Sequence, residues 1–309
     1  MLMQNNNENT TAGKTKAGYA AIIGKPNAGK STLLNSIIGT KLSIITPKPQ
    51  TTRKRVLGIC TEGNTQIVFI DTPGVLNPKY EMQSNMMGYV HTSIEEADCI
   101  ILIYDVTKFN VSQPIPPELY NFFKDENKPI ILLLNKIDLL KDSKDVLPLI
   151  KYFDESKMFK EIVPISALKE KQLYKRIINI ISNYMPEGEF FYDEDLLSTQ
   201  PERFFVSEII RENIFLSYSD EVPYSTEVAI VEFKEREFGK WFINAEIIVE
   251  RDTQKKIIIG KDGEKLKRIL EISRKQIEEH LDHPVYLEAF VKVRDKWRDK
   301  PNMLRSFGY

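Results

Sequence analysis

Glycines, a lysine and a serine at a fixed spacing give the sequence its clearest chemical signal. Residues 24–31 read G-K-P-N-A-G-K-S, which fits the phosphate-binding pattern G-x-x-x-x-G-K-[ST]. Such glycines let backbone N–H groups surround phosphate oxygens at the start of a helix, where the dipole favours anions. Lys30 is expected to reach β- and γ-phosphates, and the Ser31 hydroxyl to ligate Mg²⁺. The predicted nucleotide contacts here are Gly24, Lys25, Pro26, Asn27, Ala28, Gly29, Lys30, Ser31 and Thr32.

A second motif with a carboxylate follows an apolar run and would approach the same phosphates. The Asp71 carboxylate can hold Mg²⁺ through its water shell, and the N–H of Gly74 can sense a γ-phosphate. The predicted contacts in this motif are Asp71, Thr72, Pro73 and Gly74.

Two further segments have the groups needed to recognise a base. The carboxylate of Asp138 can accept two hydrogen bonds from the N1–H and N2–H₂ edge of guanine, a donor pair that adenine lacks. We expect Asn135 to brace the loop and the stem of Lys136 to cover the base. Backbone N–H groups in the second segment, residues 166–168, can meet the guanine O6. The predicted base-site residues are Asn135, Lys136, Asp138, Ser166, Ala167 and Leu168.

These motifs lie where the strands of an α/β sheet would end. The near-continuous Ile, Leu and Val in several runs are typical of strands buried on both faces, and longer helical patterns separate the runs. Open α/β sheets bind ligands at the carboxyl ends of their strands. The fold class is therefore predicted as α/β, with a doubly wound P-loop domain over residues 18–185 that includes an antiparallel hairpin at 55–71. The predicted strands are 19–23, 56–60, 66–70, 98–104, 129–134 and 162–165, and the helices include 30–38 and 172–184.

A smaller α+β unit is predicted after an acidic linker at residues 186–200. Its elements, over residues 201–309, are a helix at 202–216, strands at 226–235 and 240–250, a turn at 260–263, a helix at 264–281 and a strand at 284–293. The turn is expected to follow an apolar strand end at residues 257–259. This α-β-β-α-β order, with a G-x-x-G turn before the last helix, fits a type II KH fold.

The turn Gly260-Lys261-Asp262-Gly263 is a candidate for nucleic-acid binding. In KH domains such a turn clamps a short single-stranded backbone, because glycine lets phosphates approach a helix N-terminus. Residues 251–275 contain nine basic and four acidic residues, a net charge of +5 within a near-neutral chain. The predicted RNA contacts are Gly260, Lys261, Asp262, Gly263, Lys265, Lys267 and Arg268. The alternatives are a plain helix-start turn, a solvated basic face (for Arg274 and Lys275 above all), or a module that binds a protein partner.

Composition limits the remaining possibilities. The chain has 309 residues, with 43 Lys and Arg against 44 Asp and Glu, so a nucleic-acid partner must meet a local patch. Cys60 and Cys99 cannot form a disulfide framework and fit a reducing cytosol. The longest apolar run, residues 99–104, is far shorter than the roughly 20 residues that span a bilayer. Residues 1–17, rich in Asn and Thr, are predicted to be a disordered tail rather than a signal peptide.

The nucleotide motifs together resemble the translation-factor-related branch of GTPases. Residues 49–53, P-Q-T-T-R, look like the first switch of that branch, in which a threonine completes the Mg²⁺ shell. Position favours Thr52, with Thr51 as the alternative. Val75 and Leu76 occupy the region where Ras-like enzymes place a glutamine that orients water. Some relatives with an asparagine at the position of Asn27 use K⁺, so we predict Asn27 as a K⁺ ligand, the alternative being a brace within its own loop.

With its second-domain segments, the chain resembles the Era family over nearly all of residues 18–309. These segments are S-E-I-I-R-E at 207–212, P-Y-S at 223–225, V-E-R at 249–251, residues 254–260, and the ending L-R-S-F-G-Y at 304–309. The resemblance implies a slow GTPase that uses GTP/GDP and Mg²⁺ and contacts 16S rRNA at its 3′ end through the KH domain. It also implies a monomer that acts in 16S rRNA processing and in assembly of the small (30S) ribosomal subunit, in the cytoplasm and with peripheral inner-membrane contact. The implied catalytic residues are Lys30, Thr52, Gly74 and Asn27, and the metal ligands are Ser31, Thr52 and Asp71.

Two other functions compete with this interpretation. A tRNA-modification GTPase would have a different second domain and often a C-terminal cysteine, whereas no cysteine follows Cys99. A GTP-dependent switch whose KH-like domain binds a protein is the other alternative. Charge reversal at Lys265 and Lys267 that left RNA affinity intact would favour it.

Overall fold

A computed structural model of the chain describes residues 14–109, 115–124 and 126–309. In these ranges the first domain is a six-stranded sheet in the order β2-β3-β1-β4-β5-β6. Its strands are β1 Lys16–Ile23, β2 Val56–Glu62, β3 Thr65–Asp71, β4 Cys99–Asp105, β5 Ile130–Asn135 and β6 Glu161–Ile165. Its helices are α1 Lys30–Ile38, α2 Glu81–Glu96, α3 Pro117–Tyr120, α4 Leu147–Glu155 and α5 Leu173–Ile181.

Burial on both faces accounts for the apolar strand sequences. Each residue of β5 is buried, and so are the residues of β4 up to its last position. β2 pairs antiparallel to β3 as a hairpin, whereas the other neighbouring strands pair in parallel. The prediction of a doubly wound α/β sheet is therefore confirmed. The parallel strands present their carboxyl ends along one edge of the sheet, next to the start of α1.

The first strand begins earlier than the sequence pattern indicated. Lys16 and Ala17, which were predicted to belong to a disordered tail, pair in β1 with Thr65 and Gln66. Ala17 is buried, and the extra pairs satisfy backbone groups at the start of β3. Residues 1–13 of the predicted tail lie outside the described residues.

The predicted linker is an ordered strap along the edge of the first sheet. The Ile59 N–H donates to the carbonyl of Leu197 (2.8 Å), and Ser198 Oγ donates to the carbonyl of Leu57 (2.6 Å). The Gln66 amide donates to and accepts from the Tyr192 backbone. These contacts cover β2, an edge strand whose backbone would otherwise be open to pairing. The predicted linker is therefore packed against the first domain up to Gln200, whose side chain donates to the carbonyl of Arg55.

The second domain is a three-stranded sheet, and most of its helices pack in one apolar cluster on one face of it. Its helices are α6 Glu202–Ser217, α7 Glu221–Tyr224, α8 Asp252–Ile259, α9 Glu264–Leu281 and α10 Pro301–Ser306, and its strands are β7 Glu227–Lys234, β8 Trp241–Val249 and β9 Val285–Val293. The strand order is β7-β8-β9, with β7 antiparallel and β9 parallel to β8. The predicted type II KH fold is confirmed.

One element of the second domain was predicted incorrectly. Residues 257–259, expected to be a strand end, form the last turn of α8. Three consecutive isoleucines resemble a buried strand, but in α8 Ile258 is buried while Ile257 is exposed, as helical spacing requires. The helix start is marked by Gln254, whose side-chain oxygen accepts from the backbone N–H groups of Glu250 and Arg251.

The C-terminal segment ties the domains together. Trp297 and Leu304 are buried in the same apolar cluster as Met82 and Val90 of α2. The Trp297 indole N–H donates to the carbonyl of Ser225 at 2.9 Å. In the part of the chain that the structure describes, no helix has the length and apolar character needed to cross a membrane.

Candidate nucleotide site and RNA interface

The phosphate-binding loop joins β1 to α1 and has the backbone geometry that its glycines predict. Gly29 has φ 109°, and a Cβ there would lie 2.2 Å from the side-chain nitrogen of Asn135. Lys30 is buried at the first position of α1 and donates to the carbonyls of Gly24 (3.2 Å) and Lys25 (2.9 Å). Burial lowers the pKa of Lys30 to about 8, although Asp71 opposes the shift. A cation buried against carbonyls at a helix start is suited to receive phosphate.

Three oxygen-bearing side chains meet beside the loop. Ser31 Oγ lies 2.8 Å from Thr52 Oγ1 and donates to Asp71 Oδ2 at 2.7 Å. Asp71 Oδ1 is buried without a hydrogen-bond partner among the described residues, and burial raises the pKa of Asp71. Two hydroxyls and an incompletely satisfied carboxylate are the hard oxygen donors that Mg²⁺ takes, so the predicted metal set fits the ion.

The neighbouring threonine has a different position. Thr51 Oγ1 lies 2.6 Å from Thr46 Oγ1 and donates to the carbonyl of Lys48 at 2.7 Å. Its hydroxyl is therefore engaged within the switch loop, residues 41–53, whereas that of Thr52 points to Ser31. Of the two alternatives, the geometry favours Thr52 as the metal ligand.

The predicted base-site segments are connected through Asn135 at the end of β5. Its side chain donates to the carbonyl of Ala28 (2.7 Å) and accepts from the N–H of Ala167 (2.9 Å). It thereby braces the phosphate loop against residues 166–168, as the sequence predicted. The Ala167 N–H is thus already engaged, and a contact of this segment with guanine O6 stays a prediction.

The Asp138 carboxylate is held in its ionised form. Ser166 Oγ donates to Asp138 Oδ1 at 2.7 Å, and Lys169 Nζ lies 3.3 Å from Oδ2. The Ser166 hydrogen bond outweighs the effect of burial and, together with Lys169, lowers the pKa of Asp138. Nearby, Lys136 pairs with Asp105 at 2.6 Å, which fixes the lysine stem along the site. An ionised carboxylate accepts hydrogen bonds without donating any, which suits the guanine edge.

A cleft of about 840 Å³ runs between these groups. Its lining includes most of the predicted nucleotide residues, together with Thr46, Gln50 and Thr52 of the switch loop. Leu168 lies at the cleft with 78% of its surface exposed. Thr72 and Pro73 are not among its lining residues: both are buried, and Thr72 Oγ1 donates to the carbonyl of Ile22. Thr72 therefore supports the motif structurally.

The residues after Gly74 supply no polar side chain to the cleft. Val75 is buried, and its N–H donates to the carbonyl of Gly24 at 3.0 Å. Leu76 packs beside Met87. On the other side of the cleft, Asn27 Nδ2 donates to the carbonyl of Pro47 at 2.8 Å, which joins the phosphate loop to the switch loop.

The G-x-x-G turn connects α8 to α9 and exposes the first turn of α9. Gly260 has φ 72° and Gly263 has φ 80°, a region that favours glycine. A Cβ at Gly260 would lie 2.7 Å from Lys265 Cγ, so this glycine also allows a close approach. Asp262 has φ 52°. Asp tolerates this conformation better than most residues, which explains a carboxylate in the turn.

The basic side chains at the turn are exposed to solvent. Besides Asp262, the exposed residues are Lys261, Lys265, Lys267 and Arg268. Arg274, two turns further along α9, is instead paired with Glu278 at 2.7 Å, in agreement with its interpretation as a solvated face. The turn and the first two turns of α9 thus form one positive surface, which suits a nucleic-acid backbone.

An ionic cluster between the domains was missed by sequence reasoning. Arg53 is buried and donates to Glu227 Oε2 (3.1 Å) and to the carbonyls of Thr226 (2.7 Å) and Pro223 (3.0 Å). Tyr309 donates to the same carboxylate at 2.6 Å. Residues 223–225 and 304–309 are family-like in sequence, and this likeness is the signal that could have pointed to the cluster. The sequence does not indicate that the two segments come together around Arg53 and Glu227.

Comparisons with known proteins agree with this geometry. A family profile described as "50S ribosome-binding GTPase" matches residues 19–136, and one described as "KH domain" matches residues 221–298. The fold and site thus define a P-loop GTPase with a C-terminal KH domain.

Relatives narrow the class to one family. The chain is 45% identical to GTPase Era of Aquifex aeolicus over 301 residues, 95% of this chain and 99% of the relative. It is 41% identical to a chloroplastic GTPase ERA-like protein of Oryza sativa over 297 residues, 95% of this chain and 69% of the relative. A solved structure of Era "in complex with MgGDPNP and nucleotides 1506-1542 of 16S ribosomal RNA" matches with a TM-score of 0.91 and 45% identity, covering 96% of this chain and 99% of that chain. The chain belongs to the Era family of GTPases.

Proposed function

We propose that this protein binds and hydrolyses GTP and uses its KH domain to bind the 3′ end of 16S rRNA during assembly of the small ribosomal subunit. The observation that carries the proposal is the joint match of both sites to one solved complex. That Era structure holds a GTP analogue with Mg²⁺ and a 16S rRNA segment. In this chain, the metal set of Ser31, Thr52 and Asp71 and the exposed G-x-x-G turn supply both matching sites.

Each nucleotide contact has a chemical role. Lys30 and the loop N–H groups bind the phosphates, and Asp138 accepts the guanine donors. Ser31, Thr52 and Asp71 would hold Mg²⁺, which neutralises charge on the β- and γ-oxygens. Gly74 packs against the phosphate loop, since a Cβ there would lie 2.6 Å from the Pro26 nitrogen, and its N–H is proposed to sense the γ-phosphate. Because Val75 and Leu76 cannot orient a water, slow hydrolysis is expected without a further contribution.

K⁺ is the proposed source of that contribution. Asn27 Nδ2 donates to the Pro47 carbonyl, which brings the Asn27 amide oxygen, the atom that could bind a cation, close to a switch-loop carbonyl at the phosphate loop. Oxygen donors of this kind can hold a monovalent cation near the transferred phosphate. Hydrolysis should be faster in K⁺ than in Na⁺, and Asn27→Ala should remove the difference. Equal rates in the two salts for the wild-type protein would contradict the K⁺ proposal.

The wider cellular setting is part of the proposal. A role for a 30S precursor, a monomeric state, and a cytoplasmic location with a peripheral inner-membrane fraction all follow from the family resemblance. They stay predictions.

The test is a GTP hydrolysis assay in K⁺ buffer with an RNA of the 16S 3′ end or with its scrambled form. We expect stimulation by the matching RNA alone. The double variant Lys261→Gln, Lys265→Gln should lose stimulation while keeping the basal rate, because both side chains belong to the exposed positive surface of the KH domain. No RNA binding and no stimulation would contradict the rRNA function and favour a protein partner for the KH domain.

A further inference from the structure

A side chain from the second domain reaches the metal site of the first. Arg211 on α6 is buried, and its Nη2 donates to the backbone carbonyl of Thr51 at 2.6 Å. The next residue is Thr52, whose hydroxyl lies 2.8 Å from that of Ser31. The residue whose carbonyl binds the guanidinium, Thr51, therefore directly precedes the candidate Mg²⁺ ligand, Thr52.

Arg211 is held firmly by its own helix. The Glu208 carboxylate accepts from Arg211 Nε at 2.8 Å and from Arg211 Nη2 at 2.5 Å. The centre of the Phe215 ring lies 5.3 Å from the guanidinium carbon. Burial opposes the charge, but Glu208 outweighs burial and raises the pKa of Arg211. The Nη1 atom is buried without an acceptor among the described residues. A buried donor left unpaired costs stability, and the guanidinium is held against the Thr51 carbonyl despite that cost.

The same helix holds the start of the switch loop. Glu212 pairs with Lys41 at 2.5 Å and accepts from the Ile45 N–H at 3.0 Å. The loop is thus fixed at both ends by α6, and Arg211 fixes the end that contains Thr52.

We propose that Arg211 is a positioning residue for the Mg²⁺–GTP site, acting through the carbonyl of Thr51 to hold the Thr52 hydroxyl beside Ser31 and Asp71. The inference rests on the proposed GTPase function and gives the KH domain a part in the nucleotide site. Switch loops of GTPases are ordered by γ-phosphate and Mg²⁺. Arg211 reduces the cost of this ordering, and so favours GTP binding over GDP binding.

The first test is Arg211→Lys, which keeps the positive charge. Lysine lacks the planar guanidinium group with which Arg211 donates to Glu208 and Thr51 at the same time. We expect affinity for a Mg²⁺-bound non-hydrolysable GTP analogue to fall about tenfold, with GDP affinity changed less than about twofold. The Mg²⁺ concentration for half-maximal hydrolysis should rise in parallel. The matched control is Asn213→Ala on the same buried helix. Asn213 bonds Ser273 and Gln276 of α9 and contacts no switch residue by hydrogen bond in the described structure.

A double variant tests whether Arg211 acts through Thr52. Thr52→Ala alone should weaken GTP-analogue binding, and Arg211→Lys added to it should cause little further loss. Full additivity of the two losses would overturn the proposal. An equal loss of GTP and GDP affinity, or the same GTP-specific loss in Asn213→Ala, would also overturn it.

Two further measurements separate this inference from folding defects and from the proposed function. Glu208→Gln weakens the anchor of Arg211, and in the described structure the Glu208 side chain makes no hydrogen bond to the switch loop. The substitution should shift GTP-analogue affinity in the same direction, by a smaller factor. Unchanged affinity there, in a variant with wild-type thermal stability, would count against the inference. Failure of the wild-type protein to bind or hydrolyse GTP would instead refute the proposed function itself.

Discussion

At the scale of single residues, Gly29 is the position with the least freedom in the nucleotide site. Its φ of 109° disfavours any side chain, and a Cβ would displace the Asn135 amide that joins the phosphate loop to residues 166–168. We predict that Gly29→Ala lowers GDP affinity at least about a hundredfold, the loss of two coupled buried hydrogen bonds. A titration with a fluorescent GDP analogue measures the loss.

The control for this prediction is another glycine of the same helix. Gly39 ends α1 with φ 77°, and a Cβ there meets nothing within 4 Å. Gly39→Ala should cost about 1 kcal/mol of stability through backbone strain alone, with GDP affinity unchanged. If both variants lost GDP affinity equally, general destabilisation rather than the Asn135 contact would be responsible.

The ionisation of Asp138 leads to a second prediction at this scale. The folded protein lowers the pKa of Asp138, so the carboxylate stays charged as pH falls from 7 towards 5. Recognition of the base should therefore stay intact over this range. Ser166→Ala removes the largest cause of the shift, so the acid loss of GDP affinity should begin at higher pH. Ser166→Thr keeps a hydroxyl and should behave as wild type. Superimposable affinity profiles for wild type and Ser166→Ala from pH 7 down through 3.8, the ordinary pKa of an aspartate, would contradict the argument.

Residue types at the nucleotide site could be predicted because its chemistry depends on short contiguous motifs. Lys30, Asp71 and Asn135 each follow or end a strand whose apolar sequence was readable. The roles of Thr72 and Ala167 could not be predicted, because each depends on a hydrogen bond across the sheet edge. The sequence likewise left Thr51 and Thr52 as alternatives for the metal ligand. The hydrogen bonds in the folded chain distinguish between them.

At the scale of elements, the first two turns of α9 should behave as an electrostatic surface. Lys261 and Lys265 are exposed beside the G-x-x-G turn. Replacing either by Gln should weaken binding of single-stranded RNA and reduce the slope of log affinity against log salt concentration by about 0.7. Asp262→Asn should strengthen binding, since it removes a carboxylate from the same turn. Fluorescence anisotropy at several KCl concentrations measures both slope and affinity.

The control for the salt dependence is a cation on the same helix. Arg274 already pairs with Glu278, so Arg274→Gln should leave the slope unchanged. A slope reduced equally by Arg274→Gln would show that the whole helix, rather than the turn, meets the RNA backbone.

Secondary structure was predictable where periodicity was unambiguous. Helices α1 and α9 begin and end where the sequence pattern placed them, since each has a clear apolar face and glycine at its N-terminus. The last turn of α8 was mistaken for a strand because three adjacent isoleucines have no visible helical period. The strap at residues 186–200 was read as a linker because its order comes from hydrogen bonds to β2 and β3.

At the scale of the whole molecule, the domain interface centres on one buried carboxylate. Glu227 is 2% exposed, accepts from Arg53 and Tyr309, and lies 3.9 Å from Lys54 Nζ. Burial opposes its ionisation, but Lys54, Arg53 and Arg211 outweigh burial and lower the pKa of Glu227. The charged form is therefore the one that the folded protein stabilises. The sequence contains these residues in four separate segments, and the fold alone brings them together.

We therefore predict that Glu227→Gln destabilises the protein far more than an exposed substitution of the same kind. The neutral amide leaves Arg53 buried without a counter-charge, which costs about 3 to 5 kcal/mol. Urea unfolding at pH 7 measures the loss, and Glu237→Gln in an exposed loop is the control with almost no effect. Because the folded pKa is lowered, the stabilisation from Glu227 is complete above its ordinary pKa and disappears as pH falls through the folded value. The difference between wild type and Glu227→Gln should consequently shrink in acid, and a constant difference from pH 7 to pH 4 would show that the charge of Glu227 is not what joins the two domains.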